Sequence, residues 1–257
     1  MREVAVIGIG QTKVEEHWDK SLREIAGDAV LLALQECGMD STESIYVGNM
    51  MSGSANHQQH LGSYIADWVG MRFSEAVHIE SACSSGSAAF RAAVMAIASG
   101  SINSAIAVGV EKMTDSPGSE ITSQLATAAD ADWEADMGLS FVAINALLMQ
   151  RYLHEYGWDK DDFAGFSINA HANGAHNPYA RFQSPINKSA YQKAPMIADP
   201  INLLDASPMG DGAAAAVLVP VEMIKRPGQK MIKIAASAAA TDTIALQSRK
   251  DSTWLTA

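Results

Sequence analysis

Cys83 is the residue of this chain whose type and setting offer the most chemistry. It stands among small side chains, Ser81-Ala82-Cys83-Ser84-Ser85-Gly86-Ser87, after an apolar run over 76–79 and before a helical run that begins at Ala88. A thiol at a helix start meets backbone N–H groups without an intrahelical acceptor and the positive end of the helix dipole. Both favour the thiolate, the nucleophilic form of cysteine. The serines and the glycine leave room for a bulky acyl group to approach the sulfur. The same features also suit a small buried cysteine at a strand–helix corner, as free cysteines commonly are. Local chemistry leaves both readings open.

Other reactive spacings carry less. His57-Gln58-Gln59-His60 places two histidines three apart, a spacing that can share a metal, but no third ligand is evident nearby and no metal is indicated. Gly8-Ile9-Gly10 follows a strand-like run, yet the third glycine of a dinucleotide fingerprint would fall at Lys13. The next helix waits until about Ser21, too far for its N-terminus to meet a pyrophosphate at the glycines. A cysteine hydrolase of the α/β-hydrolase type would need a glycine two positions to either side of the nucleophile, where Ser81 and Ser85 stand.

The composition narrows the classes. With 48% apolar and 18% charged residues the chain reads as globular, not disordered. A net charge of −11 disfavours nucleic acid and gives no electrostatic reason to lie on an anionic membrane. The only cysteines are Cys37 and Cys83, so no disulfide framework is implied and a reducing compartment is the default. The N-terminus enters Val4-Ala5-Val6-Ile7 without the longer apolar core of a signal peptide, and no apolar run reaches bilayer-spanning length. A cytoplasmic protein is expected.

The elements that must position Cys83 alternate. Short apolar runs over 4–9, 44–47, 76–79 and 105–110 read as strands. Helical periodicity fills 21–37, with Ser21 and Glu24 at capping-box spacing and Gly38 to end it, then 56–69 and 84–99, closed by Gly100. The order β-α-β-α-β-α-β predicts a parallel sheet of the α/β class. The helix after Cys83 carries Arg91 as its sole charge, and a helix apolar all round is expected to be buried on all sides, between two layers. From Met113 to about Ser207 the alternation breaks. A Thr/Ala/Asp-rich stretch (122–136), helices over 139–156 and 160–171, and a Pro- and Asn-rich segment (176–200) read together as an inserted subdomain. The sheet resumes over 213–219, Arg226-Pro227-Gly228 marks a boundary, and 231–236 with a helix start near Asp251-Ser252 echoes the chain's beginning.

Six segments, in order, resemble the thiolase superfamily, in particular its sterol-carrier-protein-type and archaeal acetyl-CoA acetyltransferase branch. Gly8-Ile9-Gly10-Gln11-Thr12-Lys13 is similar to the family's first strand and turn, and Ser81-Ala82-Cys83-Ser84-Ser85-Gly86 to its nucleophile segment. Val108-Gly109-Val110-Glu111-Lys112-Met113-Thr114 is similar to the strand leading into its loop domain, and Asp136-Met137-Gly138 to a substrate-side turn. His176-Asn177-Pro178-Tyr179-Ala180-Arg181-Phe182 resembles a loop-domain signature, and Asp205 to Ala215 the end of the first half.

The resemblance implies a layered α-β-α-β-α fold: a first βαβαβαββ half over 1–112 and 208–220, an inserted loop domain over 113–207, and the beginning of a second half over 231–257. It implies a cysteine thioester at Cys83, formed from acyl-CoA or 3-ketoacyl-CoA, in an acetyl-CoA C-acetyltransferase or 3-ketoacyl-CoA thiolase of lipid metabolism. Met137, Gly138, His176 and Asn177 would lie on the substrate side. Coenzyme A would be substrate, with no bound cofactor. A homodimer or larger homo-oligomer is expected, alone or within a multienzyme complex. The family's activating histidine, second cysteine and oxyanion-hole segment belong to its second half. None of His17, His57, His60, His78, His154, His171 or His176 matches that histidine's motif. The chain therefore reads as a first half plus a stub of the second; the alternative is an inactive acyl-CoA-binding or scaffold subunit.

Overall fold

The computed structural model describes residues 1–224 and 231–249. The boundary at Arg226-Pro227-Gly228 and the helix start near Asp251-Ser252 lie outside the described residues. The chain divides into two compact units, Met1–Ser116 with Gly210–Ala238, and Pro117–Met209 with the chain from Ala239.

The first unit is built on a six-stranded sheet. Its strands are β1 (Val4–Gln11), β2 (Ser44–Gly48), β3 (Glu75–Ile79), β4 (Ala105–Glu111), β7 (Gly212–Pro220) and β8 (Ile232–Lys233), in the order β3-β2-β4-β7-β1-β8. β2 runs parallel to β3 and β4, but β7 runs antiparallel to both β4 and β1, so the sheet is mixed and not parallel throughout. The reason is where the chain comes back. β4 ends at Glu111, and the return from the second unit enters beside it, with Glu111 paired to Gly212. A strand that starts where its neighbour stops must run the other way. Of the strand expected over 231–236, only Ile232–Lys233 pairs, and it pairs with β1 on the edge of this same sheet.

Helices cover both faces. α1 (Leu22–Cys37) follows Ser21, which receives the reciprocal bonds of a capping box with Glu24, and ends at Gly38 in the left-handed region. It packs on one face with α3 (Leu61–Trp68), burying Ile25, Ala29, Val30, Ala33, Ile65, Ile45, Val47 and Val108. Gly8 and Gly10 serve this packing: a Cβ on Gly10 would lie 2.0 Å from the Ala29 carbonyl oxygen. The helix expected over 56–69 is shorter, because His57 and His60 both take positive φ. A separate short turn, α2 (Ser52–Ala55), stands before them.

α4 (Ser85–Ser99) covers the other face, burying Ala89, Ala93, Val94, Ile97 and Ala98 against Tyr46, Ala107 and Leu218. Its far side is not enclosed as the sequence predicts. Met95 is 43% exposed, and Ala88, Ala92 and Ala96 are half-buried. Among the described residues one sheet face packs on this helix, and one face buries one stripe.

The second unit carries α5 (Gly118–Ala126), a π-helical turn (Ala131–Ala135), α6 (Phe141–Tyr156), a 3₁₀ turn (Lys160–Phe163), α7 (Ala164–Gly174), α8 (Lys188–Lys193) and the antiparallel pair β5 (Met196–Ala198) and β6 (Ile201–Asn202). α6 starts two residues later than its apolar pattern does, because Ser140 is its N-cap and accepts from the Ala143 N–H. Tyr191 is buried here and donates to the Lys160 carbonyl at 3.3 Å.

Candidate functional site

Cys83 sits on a turn that the surrounding serines hold closed. β3 ends at Ile79, the chain passes Glu80, and Ala82 adopts φ +46°, a left-handed conformation that costs a non-glycine residue on the order of 1 kcal/mol. Three contacts hold it there. The Ala82 N–H donates to Glu80 Oε1 at 2.5 Å, Ser85 Oγ donates to the Ala82 carbonyl at 2.6 Å, and the same Oγ accepts from the Ser81 N–H at 2.9 Å. Ser85 is buried while Cys83 is exposed. The turn thus anchors a strained backbone inside and presents the thiol outside.

The expected open N–H groups are partly used. Ala82–Ser84 form a 3₁₀ turn before α4, so the Ser84 N–H donates to the Ser81 carbonyl and the Ser85 N–H to the Ala82 carbonyl. The tighter turn satisfies donors that a simple α-helical start would leave free. Cys37, by contrast, is buried, and its thiol donates to the Leu34 carbonyl at 3.3 Å.

Three glycines let α4 start this close to the sheet. A Cβ on Gly48 would lie 2.3 Å from the Ser85 carbonyl oxygen and 2.6 Å from the Gly86 Cα, and one on Gly109 would lie 3.4 Å from the Gly86 Cα. Gly48 and Gly109 are neighbours across β2 and β4. Sequence reasoning missed this seam. Its signal was there: each of the two neighbouring strands carries a glycine near its C-terminal end, Val47-Gly48 and Val108-Gly109.

The strand ends beside the seam bring polar groups together. Asn49 Nδ2 donates to the Val110 carbonyl at 2.8 Å, its Oδ1 accepts from the Ser52 N–H at 2.7 Å, and its carbonyl meets His78 Nε2 at 3.0 Å. The Met50 N–H donates to Glu111 Oε1 at 2.6 Å. Burial pushes the Glu111 carboxyl up from its ordinary value, against the lowering effect of the Met50 and Met51 N–H groups and the Asn49 amide, and the Glu80 charge adds to the rise.

A buried carboxylate fastens the ends of β4 and β7. Asp211 accepts from the N–H groups of His17, Met113 and Thr114 at 3.1, 2.7 and 3.1 Å, and Lys112 Nζ lies 3.4 Å from its Oδ2. Burial alone would raise this carboxyl; the Thr114 hydroxyl and the backbone donors outweigh it and leave it below its ordinary value.

The remaining sequence-predicted residues lie in the second unit. Met137 is 70% exposed after the π-helical turn, and Gly138 follows at φ +88° with its N–H on the Ala135 carbonyl. His176 and Asn177 are exposed beyond α7. Asn177 Oδ1 accepts from the Tyr179 N–H at 3.0 Å, which closes a local Asx turn. The bonds of the two pairs are local to each. Among the described residues no group of three or more His, Cys, Asp or Glu side chains could hold a metal ion. No helix of the described residues is long and apolar enough to cross a membrane.

Residues 4–222 match the thiolase N-terminal domain family. An acetyl-CoA acetyltransferase of Methanothermobacter thermautotrophicus is 40% identical over 259 residues, an alignment covering 100% of this chain and 67% of the relative. Another of that name, from Methanocaldococcus jannaschii, is 39% identical, with 100% of this chain and 66% of the relative covered. The solved structure of an acetyl-CoA acetyltransferase from Syntrophomonas wolfei superposes with a TM-score of 0.69 at 18% identity, over 86% of this chain and 66% of that one. The chain spans about two thirds of the length of these relatives.

Proposed function

The chain belongs to the thiolase family, and from that premise we propose that Cys83 accepts an acyl group from an acyl-CoA thioester. The Cys83 sulfur attacks the thioester carbonyl, a carbon–sulfur bond to Cys83 forms, and the bond to the coenzyme A sulfur breaks. Coenzyme A leaves with the proton that Cys83 gave up. The acyl group then passes either to the carbon nucleophile of a second acyl-CoA, making a 3-ketoacyl-CoA, or back to coenzyme A in the cleavage direction. The observation that carries this reading is the exposed thiol on a left-handed turn that three hydrogen bonds hold in place.

The second unit serves, in this reading, as the loop domain against coenzyme A, with Met137, Gly138, His176 and Asn177 on the substrate side. The half-exposed side of α4 receives the rest of the second half that the relatives' length provides. That half brings the base, the second cysteine and the oxyanion hole, which together supply most of the rate. The working protein is a cytoplasmic homodimer or larger homo-oligomer. His17, His78 and His171 each have one ring nitrogen at a backbone carbonyl, of Lys13, Asn49 and Ser184 respectively.

The test is to mix the purified chain with acetyl-CoA, quench in acid and read the intact mass and the modified peptide. An acetyl adduct at Cys83, absent in Cys83→Ala, is expected, together with faster iodoacetamide labelling of Cys83 than of Cys37. Steady cleavage of acetoacetyl-CoA by this chain alone is not expected. Labelling confined to Cys37 with no acyl adduct would overturn the nucleophile; a folded chain that binds acyl-CoA without acylation would mark the scaffold reading instead.

A further inference from the structure

The sheet face opposite α4 is covered by α1 and α3, and their outer surface carries a group with no part in the acyl transfer just described. Along α1, Arg23, Gly27 and Leu31 recur every fourth residue and so share one stripe. On α3, Tyr64 and Trp68 are likewise four apart. The Trp68 indole lies over Gly27, where a Cβ would come within 2.7 Å of its Cδ1 and 2.9 Å of its Nε1. A glycine inside a helix weakens that helix. At this position it makes the slot that seats the ring. The Arg23 guanidinium carbon stands 4.4 Å from the Trp68 ring centroid and 5.3 Å from that of Tyr64. Trp68 and Leu31 remain 45% and 50% exposed, so the stripe ends in apolar surface open to a partner.

The rings hold the cation, and no acid pairs with it among the described residues. Arg23 Nε is buried without a hydrogen-bond partner. The carboxylates of the same two helices are engaged elsewhere. Asp28 lies 2.7 Å from Lys20 and Asp67 3.6 Å from Arg72. Glu24 accepts from the Ser21 N–H and hydroxyl at 2.8 and 2.5 Å, and Glu36 from the Ile9 N–H at 2.6 Å. A guanidinium stacked on aromatic faces keeps its planar edge for a carboxylate, which it meets with two parallel N–H···O bonds. Arg, Trp and Tyr are also the side chains in which binding energy concentrates at protein interfaces. The setting selects the kind of anion. A run of phosphates or an anionic lipid surface would meet Glu24, Asp28 and Asp67 along with the arginine, on a chain of net charge −11. A single carboxylate flanked by apolar side chains meets the cation and the rings without that repulsion.

We propose that the α1–α3 face is a docking surface for a partner protein, whose bound segment presents one Asp or Glu to Arg23 and an adjacent aliphatic or aromatic side chain to Trp68 and Leu31. Tyr64 and Trp68 hold the guanidinium in place before the partner arrives, so little side-chain freedom is lost on binding. The face lies on the side of the sheet away from α4, where the remainder of the second half is proposed to pack, and so stays outside when that half is present. The proposal goes beyond the acyl transfer and does not depend on it.

Random linear peptides displayed on phage are selected on the immobilised full chain and counter-selected on its Arg23→Gln variant. The recovered peptides are synthesised and their binding is measured by titration calorimetry. They are expected to share one Asp or Glu beside an aliphatic or aromatic residue. Their Kd should rise by about tenfold or more in Arg23→Gln and in Trp68→Ala. Arg23→Lys, which cannot make the paired bonds, should restore little of the loss. Exchanging the peptide's acid for its amide should weaken binding to the parent by a similar factor and leave binding to Arg23→Gln unchanged. Should a variant fail to fold, that exchange on the parent chain decides in its place. Recovery of no peptide, of peptides without an acid, or losses that simply add would overturn the proposal. So would either of two other occupants. Self-association of the parent in sedimentation velocity that Arg23→Gln abolishes would assign the face to a second copy. Arg23-dependent cosedimentation with phosphatidylglycerol vesicles would assign it to a membrane.

Discussion

The two units place their candidate functional residues by different means. Cys83 is held by its own neighbours, Glu80 and Ser85 clamping Ala82, and also by contacts far apart in sequence, where Gly48 and Gly109 admit the first turn of α4. Met137, Gly138, His176 and Asn177 are held by their own neighbours, as in the Gly138 N–H to the Ala135 carbonyl and the Asn177 side chain to the Tyr179 N–H. The proposed nucleophile must meet a carbonyl in one geometry, and packing against a sheet adds to the rigid base that this needs. Groups that line a bulky substrate can tolerate the freedom of local turns.

Three substitutions sharpen or break this contrast. The largest effect is expected from Gly48→Val. Its Cβ would meet backbone atoms of Ser85 and Gly86, which cannot retreat without moving α4 off the sheet. Loss of several kcal/mol, on the order of the worst overpacked cores, is expected, seen as a lowered denaturation midpoint and altered Cys83 labelling. An unchanged midpoint would mean that the seam does not position the nucleophile.

Asp211→Asn comes next. It removes the charge of one partner of Lys112, 2% exposed, which keeps Asp115 at 3.1 Å, and a cost of about 1–3 kcal/mol in urea unfolding is expected. The parent should also show a matching pH dependence. A carboxyl whose folded value is lowered contributes stability above its unfolded value, about pH 4, and loses it as pH falls through the lower folded value. The Asn variant should lack that acid limb; an identical limb in both chains would place the acid sensitivity elsewhere.

The smallest effect is expected from Asn177→Ala. Removing one exposed Asx-turn bond costs about 0.5–1 kcal/mol and leaves Cys83 alkylation at the parent rate. A large change in Cys83 reactivity would break the division between a nucleophile held by packing and substrate-side residues held by turns.

Much of the fold was legible because it rests on short-range signals. The capping box at Ser21 and Glu24, the left-handed Gly38 and Gly100, and the apolar runs of β1, β2, β3 and β4 all lie where their patterns put them. The direction of β7 was not legible, since it depends on where a long excursion brings the chain back. The helix start at Leu61 was hidden because nothing in the local pattern requires His57 and His60 to take positive φ. At the candidate site, Cys83 was singled out as the proposed nucleophile from its residue type and its small neighbours, and the Gly48–Gly109 seam that admits its helix was not.

The sequence by itself determined the alternation of strands and helices, the ordered motifs of the thiolase family and the choice of Cys83 as the proposed nucleophile. These follow from periodicity, capping and side-chain chemistry, which act within a few residues. Tertiary structure alone decided that Ala82 is strained, that Ser85 fills the turn while Cys83 faces outward, and that Gly48, Gly86 and Gly109 meet. The physical reason is that burial and desolvation are properties of the space between elements, and no window of the sequence contains that space.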